Sequence, residues 1–200
     1  MPFTRPGHLG AAVAALRNAL ACHGVTALPT ETFYGLAVTP GDGAAIARLA
    51  EIKGRPSEKA FPVVGASLAQ LETLVEIADE WRARLLASWP APLTVVLPCV
   101  RRGRRSATLA VRVPNHGLLR DLLAEVGPLT ATSANRSGAP ALDDPSAVAR
   151  ELGRELALLL DGGRAPGGLP TTLVDLSVEP PRLLRAGAFV PPRAWRAEPI

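Results

Sequence analysis

Lys53-Gly54-Arg55-Pro56-Ser57-Glu58-Lys59 contains both lysines of the chain, and the other 20 of its 22 cationic side chains are arginine. A site that keeps lysine against that background calls for a compact, strongly hydrated ammonium, whereas arginine offers a planar fork. A polyphosphate takes both kinds of donor. Gly54 and Pro56 mark the stretch as a loop, where such side chains can converge on a ligand. A solvated basic turn is the competing reading, and the stretch alone does not separate the two. Its flanks do more. Asp42 can N-cap a helix carrying Ile46, Leu49 and Ile52 that runs straight into it, and Phe61 to Val64 on the far side reads as a buried strand. Strands alternating with helices through most of the chain predict an α/β fold with a twisted, mixed sheet.

Toward the N-terminus, Leu9, Val13, Leu16 and Leu20 recur at helical spacing, and Gly24 is placed to close that helix as a left-handed cap. Val25 to Leu28 is a short apolar strand. It leads into Pro29-Thr30-Glu31-Thr32-Phe33-Tyr34-Gly35-Leu36, a polar insertion at a strand end, where ligands of open α/β sheets bind. A plain structural turn explains the same residues.

Toward the C-terminus, Ser67 opens a helix with Leu68, Leu71 and Leu74, and another surrounds Trp81 and Leu85. Strands are predicted at Leu93 to Leu97 and Leu109 to Val113, joined through the basic loop Arg101-Arg102-Gly103-Arg104-Arg105. That loop suits a solvated hairpin tip or an RNA phosphate contact. Arg112 lies among apolar residues, and a buried guanidinium needs a carboxylate or phosphate partner. Asn115 can cap the helix of Leu118, Leu119 and Leu122. Leu129 to Thr132 is a strand ending at Ser133-Ala134-Asn135-Arg136-Ser137-Gly138, and Asp144-Pro145 starts a short helix. Leu156 to Leu160 and Arg182 to Arg185 are the last strands, the latter preceded by Pro170-Thr171-Thr172. The polar insertions all follow apolar elements, so the expectation is that they share one concave face.

With 48% apolar and only 4% aromatic residues, the core is aliphatic, and 200 residues fit one large domain. A net charge of +4 and a pI near 9.8 favour anionic partners. Cys22 and Cys99 read as reduced thiols, no apolar run spans a bilayer, and a cytoplasmic protein is expected. No P-loop, dinucleotide fingerprint, zinc motif or serine-hydrolase elbow occurs. His8, His23 and His116 read as surface or cap residues. What remains is an anion site built from Lys53, Arg55 and Lys59, with donors from Ser133 and Asn135. Phosphoryl-type transfer asks mainly for positioning and charge neutralisation.

In order, Pro29-Thr30-Glu31-Thr32-x-Tyr34-Gly35-Leu36, Lys53-x-Arg55, Pro92-Leu93-Thr94, Val111-Arg112-x-Pro114, Thr132-Ser133-Ala134-Asn135-x-Ser137-Gly138 and Leu184-Arg185-x-Gly187 resemble the YrdC/Sua5 family. The resemblance implies a single YrdC-like domain over residues 1–200, with a core at about 9–187 and a Pro-rich tail. Helices and a twisted, open, mixed sheet would surround a large basic cavity. It is closest to the short type, without the C-terminal domain of the longer Sua5 type.

The family's reaction would follow: L-threonine, bicarbonate and ATP give threonylcarbamoyl-AMP and pyrophosphate, a nucleotidyl transfer that begins t6A formation at tRNA position 37. By resemblance, Thr32, Val64, Arg112, Ala131 and Thr171 would meet L-threonine, with Arg112 on its carboxylate. Lys53, Arg55, Lys59, Thr108, Ser133, Asn135, Ala141 and Arg185 would meet ATP. Lys53, Arg55, Ser133 and Asn135 would carry the catalysis. Mg2+ would arrive on the nucleotide, with no protein metal site. A downstream t6A transfer complex would take the product, and tRNA is a possible direct partner. Val64 stands where many members have histidine, and Ala91 and Thr171 also depart from the usual pattern. A non-catalytic RNA-binding module, favoured by the Arg101–Arg105 loop, and a carbamoyl-transfer domain are the competing readings.

Overall fold

In the computed structural model, residues 1–55, 60–100, 107–192 and 195 are described. A 3-10 turn, Pro6–His8, leads into α1 (Leu9–Ala21), which buries Ala12, Val13 and Leu16. Gly24 does not provide the left-handed residue after it. His23 does, at φ 54°, and Gly24 is required for a different reason: a Cβ there would collide with Ala157 and the Ala19 carbonyl.

Next come β1 (Thr26–Leu28), β2 (Gly35–Ala37) and α2 (Gly43–Lys53). Asp42 caps α2 as expected, its carboxylate accepting from the Ala45 N–H at 3.1 Å. Gly54 closes it at φ 60°, a conformation glycine adopts without strain. Lys53 is thus the last residue of a helix and not part of the loop, which fixes the direction of its side chain.

β3 (Val63–Val64) is shorter than the predicted Phe61–Val64 strand. Ser67 caps α3, but this helix stops at Leu71 and leaves Leu74 outside. α4 (Asp79–Ser88), β4 (Leu93–Pro98) and β5 (Thr108–Arg112) follow, and the Arg101–Arg105 loop lies outside the described residues. α5 (Gly117–Val126) is capped by His116 and not by Asn115: the imidazole Nδ1 accepts from Leu119 N–H at 3.1 Å. The predicted Leu129–Thr132 strand is two separate pieces, β6 (Leu129–Thr130) and β7 (Thr132–Ser133). α6 (Pro145–Leu152) begins at its Asp144 cap with proline in the first turn. β8 (Leu158–Leu159), β9 (Thr172–Asp175) and β10 (Arg182–Arg185) complete the order.

The strands form two open mixed sheets. One has the order β7-β2-β1-β8, and the other β10-β9-β4-β5-β3-β6. In the first, β1 is antiparallel to β2 and parallel to β8. In the second, β5 is parallel to β3 and antiparallel to β4, which is parallel to β9. Ala131 alone separates β6 of the larger sheet from β7 of the smaller.

Aliphatic cores sit on either side of this junction. Trp81, Leu85, Leu93, Val95 and Val111 pack beneath the larger sheet, while Leu36, Leu49, Ile52 and Val148 hold α2 and α6 on the smaller. Leu16, Leu119 and Leu122 join α1 to α5. The apolar stripe of each helix buries against a sheet or a helix and leaves its polar face to solvent.

Candidate active site

A cavity of about 270 Å³ opens where the two sheets meet. That lies near the lower limit, roughly 300 Å³, of ordinary small-molecule pockets. The smaller sheet supplies Gly35 and Ser133, and the larger supplies Val64, Thr94, Ala110, Arg112 and Leu173. The loops add Thr30, Thr32, Ala141 and Thr171. Sequence-predicted residues from seven separate stretches therefore share one wall.

The register explains two of them. Val64 pairs with Arg112 across the parallel β3–β5 ladder, so their side chains lie side by side. Val64 offers only methyls there. Thr108, on the same face of β5 by strand alternation, begins the strand roughly 13 Å away and is exposed. The cavity wall reaches Ala110 but not Thr108.

The Thr30–Phe33 turn is held by its own hydroxyls. Thr30 Oγ1 donates to Phe33 O at 2.7 Å and accepts from Thr32 N–H at 3.1 Å. Thr32 Oγ1 then lies 3.3 Å from Thr30 Oγ1. Tyr34, also on the wall, donates its hydroxyl to Gly163 O at 2.7 Å. Burial pushes its pKa up to about 12, so it remains a donor. Across the cavity, Thr171 Oγ1 is 3.0 Å from Thr94 Oγ1. The Arg185 guanidinium donates to Thr171 O and Oγ1 at 2.8–3.0 Å. Gly187 permits this arrangement, because a Cβ there would strike the Pro170–Thr172 backbone.

Arg112 is 7% exposed and carries the partner that its setting demands. Its Nη1 is 3.2 Å from Glu31 Oε1. Burial lowers its pKa, Glu31 opposes that shift, and Arg185 adds to it. Glu31 is the residue that sequence reasoning missed. It stood inside a quoted motif, but nothing local links position 31 to position 112.

Lys53 and Arg55 are not on the cavity wall. The Lys53 ammonium is buried and donates to Ser133 O at 2.8 Å, and to Asn135 O and Oδ1 at 2.7 Å each. Ser133 Oγ donates to the same Oδ1 at 2.6 Å, and Asn135 Nδ2 donates to Ala139 O. Ser137 N–H returns a bond of 3.1 Å to Lys53 O. The two motifs thus meet, as a closed network that fixes Ser133 against the cavity. Burial, with help from Arg55, lowers the Lys53 pKa to about 8. Arg55 stacks over Phe61, its Cζ 3.9 Å from the ring centroid. Lys59 lies outside the described residues.

Among the described residues no cluster of His, Cys, Asp or Glu could hold a metal ion. Glu31 beside the cavity already faces a guanidinium, so the donor set does not fit a protein-held divalent ion.

An open α/β scaffold with threonine hydroxyls and the guanidiniums of Arg112 and Arg185 around one cavity has the chemistry to suit a small carboxylate- or phosphate-bearing ligand. The chain belongs to the Sua5/YciO/YrdC family, whose model, described as "Telomere recombination", matches residues 18–187. The threonylcarbamoyl-AMP synthase of Vibrio cholerae is 41% identical over 178 residues, 84% of this chain and 92% of the relative. That of Laribacter hongkongensis is 37% identical over 174 residues, 82% and 94% respectively. The crystal structure of Pyrococcus abyssi Sua5 complexed with L-threonine superposes with a TM-score of 0.80 at 35% identity. It covers 88% of this chain and 54% of that one.

Proposed function

We propose that the protein is a threonylcarbamoyl-AMP synthase, a nucleotidyltransferase that makes threonylcarbamoyl-AMP and pyrophosphate from L-threonine, bicarbonate and ATP. The observation that carries this is the meeting, on one cavity wall, of Thr32, Arg112 and Thr171 with Ser133, Ala141 and Arg185. One set suits an amino acid and the other a nucleotide. The named relatives support the same reading.

Arg112, held buried by Glu31, takes the threonine carboxylate through its remaining N–H edge. Thr32 and Thr171 offer hydroxyls to the ligand, and Val64 packs against it. Ala131 and Ala141 contribute backbone. The threonine amine, once deprotonated, adds to the carbon of bicarbonate and water leaves, giving the carbamate. A carbamate oxygen then attacks the α-phosphorus, and the bond to the β-phosphate oxygen breaks to release pyrophosphate. Arg185 and Arg55 offset the charge that grows on the leaving group, together with Lys59. Lys53 and Asn135 act on that end through the loop carrying Ser133. Fixed dipoles and cations of this kind stabilise developing charge without reorganising during the reaction. Mg2+ comes with the triphosphate, and no step above is routed through it. The nucleotide extends beyond the cavity, toward Thr108 on the same strand face.

The product is the activated intermediate for tRNA t6A, passed to a transfer complex in the cytoplasm. Among the described residues, no helix is long and apolar enough to cross a membrane. Conversion of ATP to AMP and pyrophosphate, assayed with and without L-threonine and bicarbonate, tests the proposal. Turnover that depends on both co-substrates is expected; RNA binding without such turnover would refute it.

A further inference from the structure

Glu31 is a buried titratable group that the chemistry above leaves without a direct part. Its side chain is 11% exposed, and among the described residues neither carboxylate oxygen accepts a hydrogen bond. A carboxylate this dry ordinarily collects several N–H donors, and one without them calls for an explanation. Among the described residues its single ion-pair partner is Arg112, at 3.2 Å. His116 also feels its charge, but that imidazole is occupied in capping α5.

Thr30, Thr32 and Arg112 line the cavity, whereas Glu31, between the two threonines, does not. The guanidinium thus belongs to a cavity-wall residue, whereas the carboxylate paired with it belongs to a residue off the wall. Arg185 approaches the cavity as well and repels Arg112 electrostatically. Without a counter-charge, a long arginine side chain in that field has no reason to keep one orientation.

We propose that Glu31 is the positioning residue for Arg112. It holds the guanidinium from behind, so that the free edge faces the cavity ready for the carboxylate of an amino acid. This rests on the reading of Arg112 given above. The benefit lies in preorganisation: the side chain is ordered before the ligand arrives, so less ordering is charged against binding. The effect is thus expected on amino-acid affinity and not on the transfer step.

The test measures L-threonine affinity of the full chain by calorimetry, or by ligand-observed NMR for weak variants. Threonine-dependent pyrophosphate release is measured alongside. Glu31→Gln keeps the shape and removes the charge. It is expected to raise the L-threonine Kd and KM on the order of tenfold, as loss of a partner that orients a binding residue does elsewhere. Its kcat should stay within about twofold, and KM for ATP should not move. Glu31→Asp should fall between the two. In an Arg112→Met background, Glu31→Gln should add no further loss, because its effect passes through the missing guanidinium.

An unchanged or lower KM for L-threonine in Glu31→Gln overturns the proposal. So does a fall in kcat at constant KM, or a further loss in the double variant. If Glu31→Gln does not fold, a folded Glu31→Asp with unaltered KM overturns it equally. If Arg112→Met itself leaves L-threonine affinity intact, the underlying reading of Arg112 fails. Weakened binding in Arg112→Met with unaltered binding in Glu31→Gln rejects the role of Glu31 alone.

Discussion

The two ends of the cavity are held by opposite means. At the Ser133 end, Lys53, Ser133, Asn135 and Ala139 form a closed set of hydrogen bonds in which each donor found has an acceptor. At the Arg112 end, among the described residues, one ion pair lies in a dry setting with no hydrogen bond to the carboxylate. A network spreads its stabilisation over many partners and fixes the shape of a loop. A lone buried pair depends on charge balance, and a ligand carboxylate can share it. The structure thus separates a shaped end from a charge-balanced end, and each fails in its own way.

The sharpest break is Arg112→Met, which strands the Glu31 carboxylate in the interior. Loss of one partner from a buried pair costs about 3–5 kcal/mol, seen as a lower urea midpoint, and threonine-dependent turnover should disappear. Arg112→Met with Glu31→Gln should recover part of that stability. If the double variant is no more stable than the single one, charge balance does not govern this end.

Next is Lys53→Met, which removes three donors and leaves the two acceptors on buried Asn135 without them. A loss of about 1–3 kcal/mol is expected, with faster hydrogen exchange at residues 133–137 even without nucleotide. A variant that weakens ATP binding while loop exchange stays normal would move Lys53 from support to direct phosphate contact. The pH dependence has a definite sign. Burial disfavours the ammonium and lowers its pKa to about 8, so above that pH the closed loop binds fewer protons than the open one, whose lysine keeps its ordinary value. Loop protection factors, corrected for the intrinsic pH dependence of exchange, should therefore rise as pH rises through 8.

A smaller effect is expected at His116, beside Glu31. His116→Ala should cost about 1 kcal/mol as a lost helix cap. Burial lowers the His116 pKa below 6.5, so the neutral, capping form is the one the fold favours. Its contribution is present above the unfolded value and is lost as pH falls through the folded one. The gap in melting temperature between wild type and His116→Ala should close on acidification. Ser133→Ala should matter least for stability, about 0.5–1 kcal/mol, because Asn135 Oδ1 keeps its bond from Lys53. Its larger consequence should be a higher KM for ATP.

Much of this was legible locally. The caps at Asp42, Ser67 and Asp144 act within three residues, so the sequence pattern reveals them. Asn115 and His116 were indistinguishable by that logic, since either can accept a bond from the first helical turn. The two-residue strands β3, β6, β7 and β8 are too short to show a period, and only pairing defines them. Gly24 looked like a left-handed cap because a glycine needed for close approach has the same letter as one needed for φ. Thr32, Arg112, Ser133 and Thr171, singled out by motif, all lie on the cavity wall. Sequence could not say that Lys53 turns toward the Ser133 loop, or that Glu31 meets Arg112. Both contacts span some 80 positions, and helical or strand periodicity carries no information over that range.

The single alanine at position 131 has a consequence for how this chain can vary. It is the whole passage from β6 in one sheet to β7 in the other, and its own N–H is tied to Pro62 O at 2.7 Å. Strand side chains alternate, so one residue added or removed here would exchange the faces of Thr132 and Ser133 and turn the hydroxyl out of the site. Chain length at this crossing is therefore as much a determinant of chemistry as the identity of any side chain, and substitutions there should be tolerated far better than insertions or deletions.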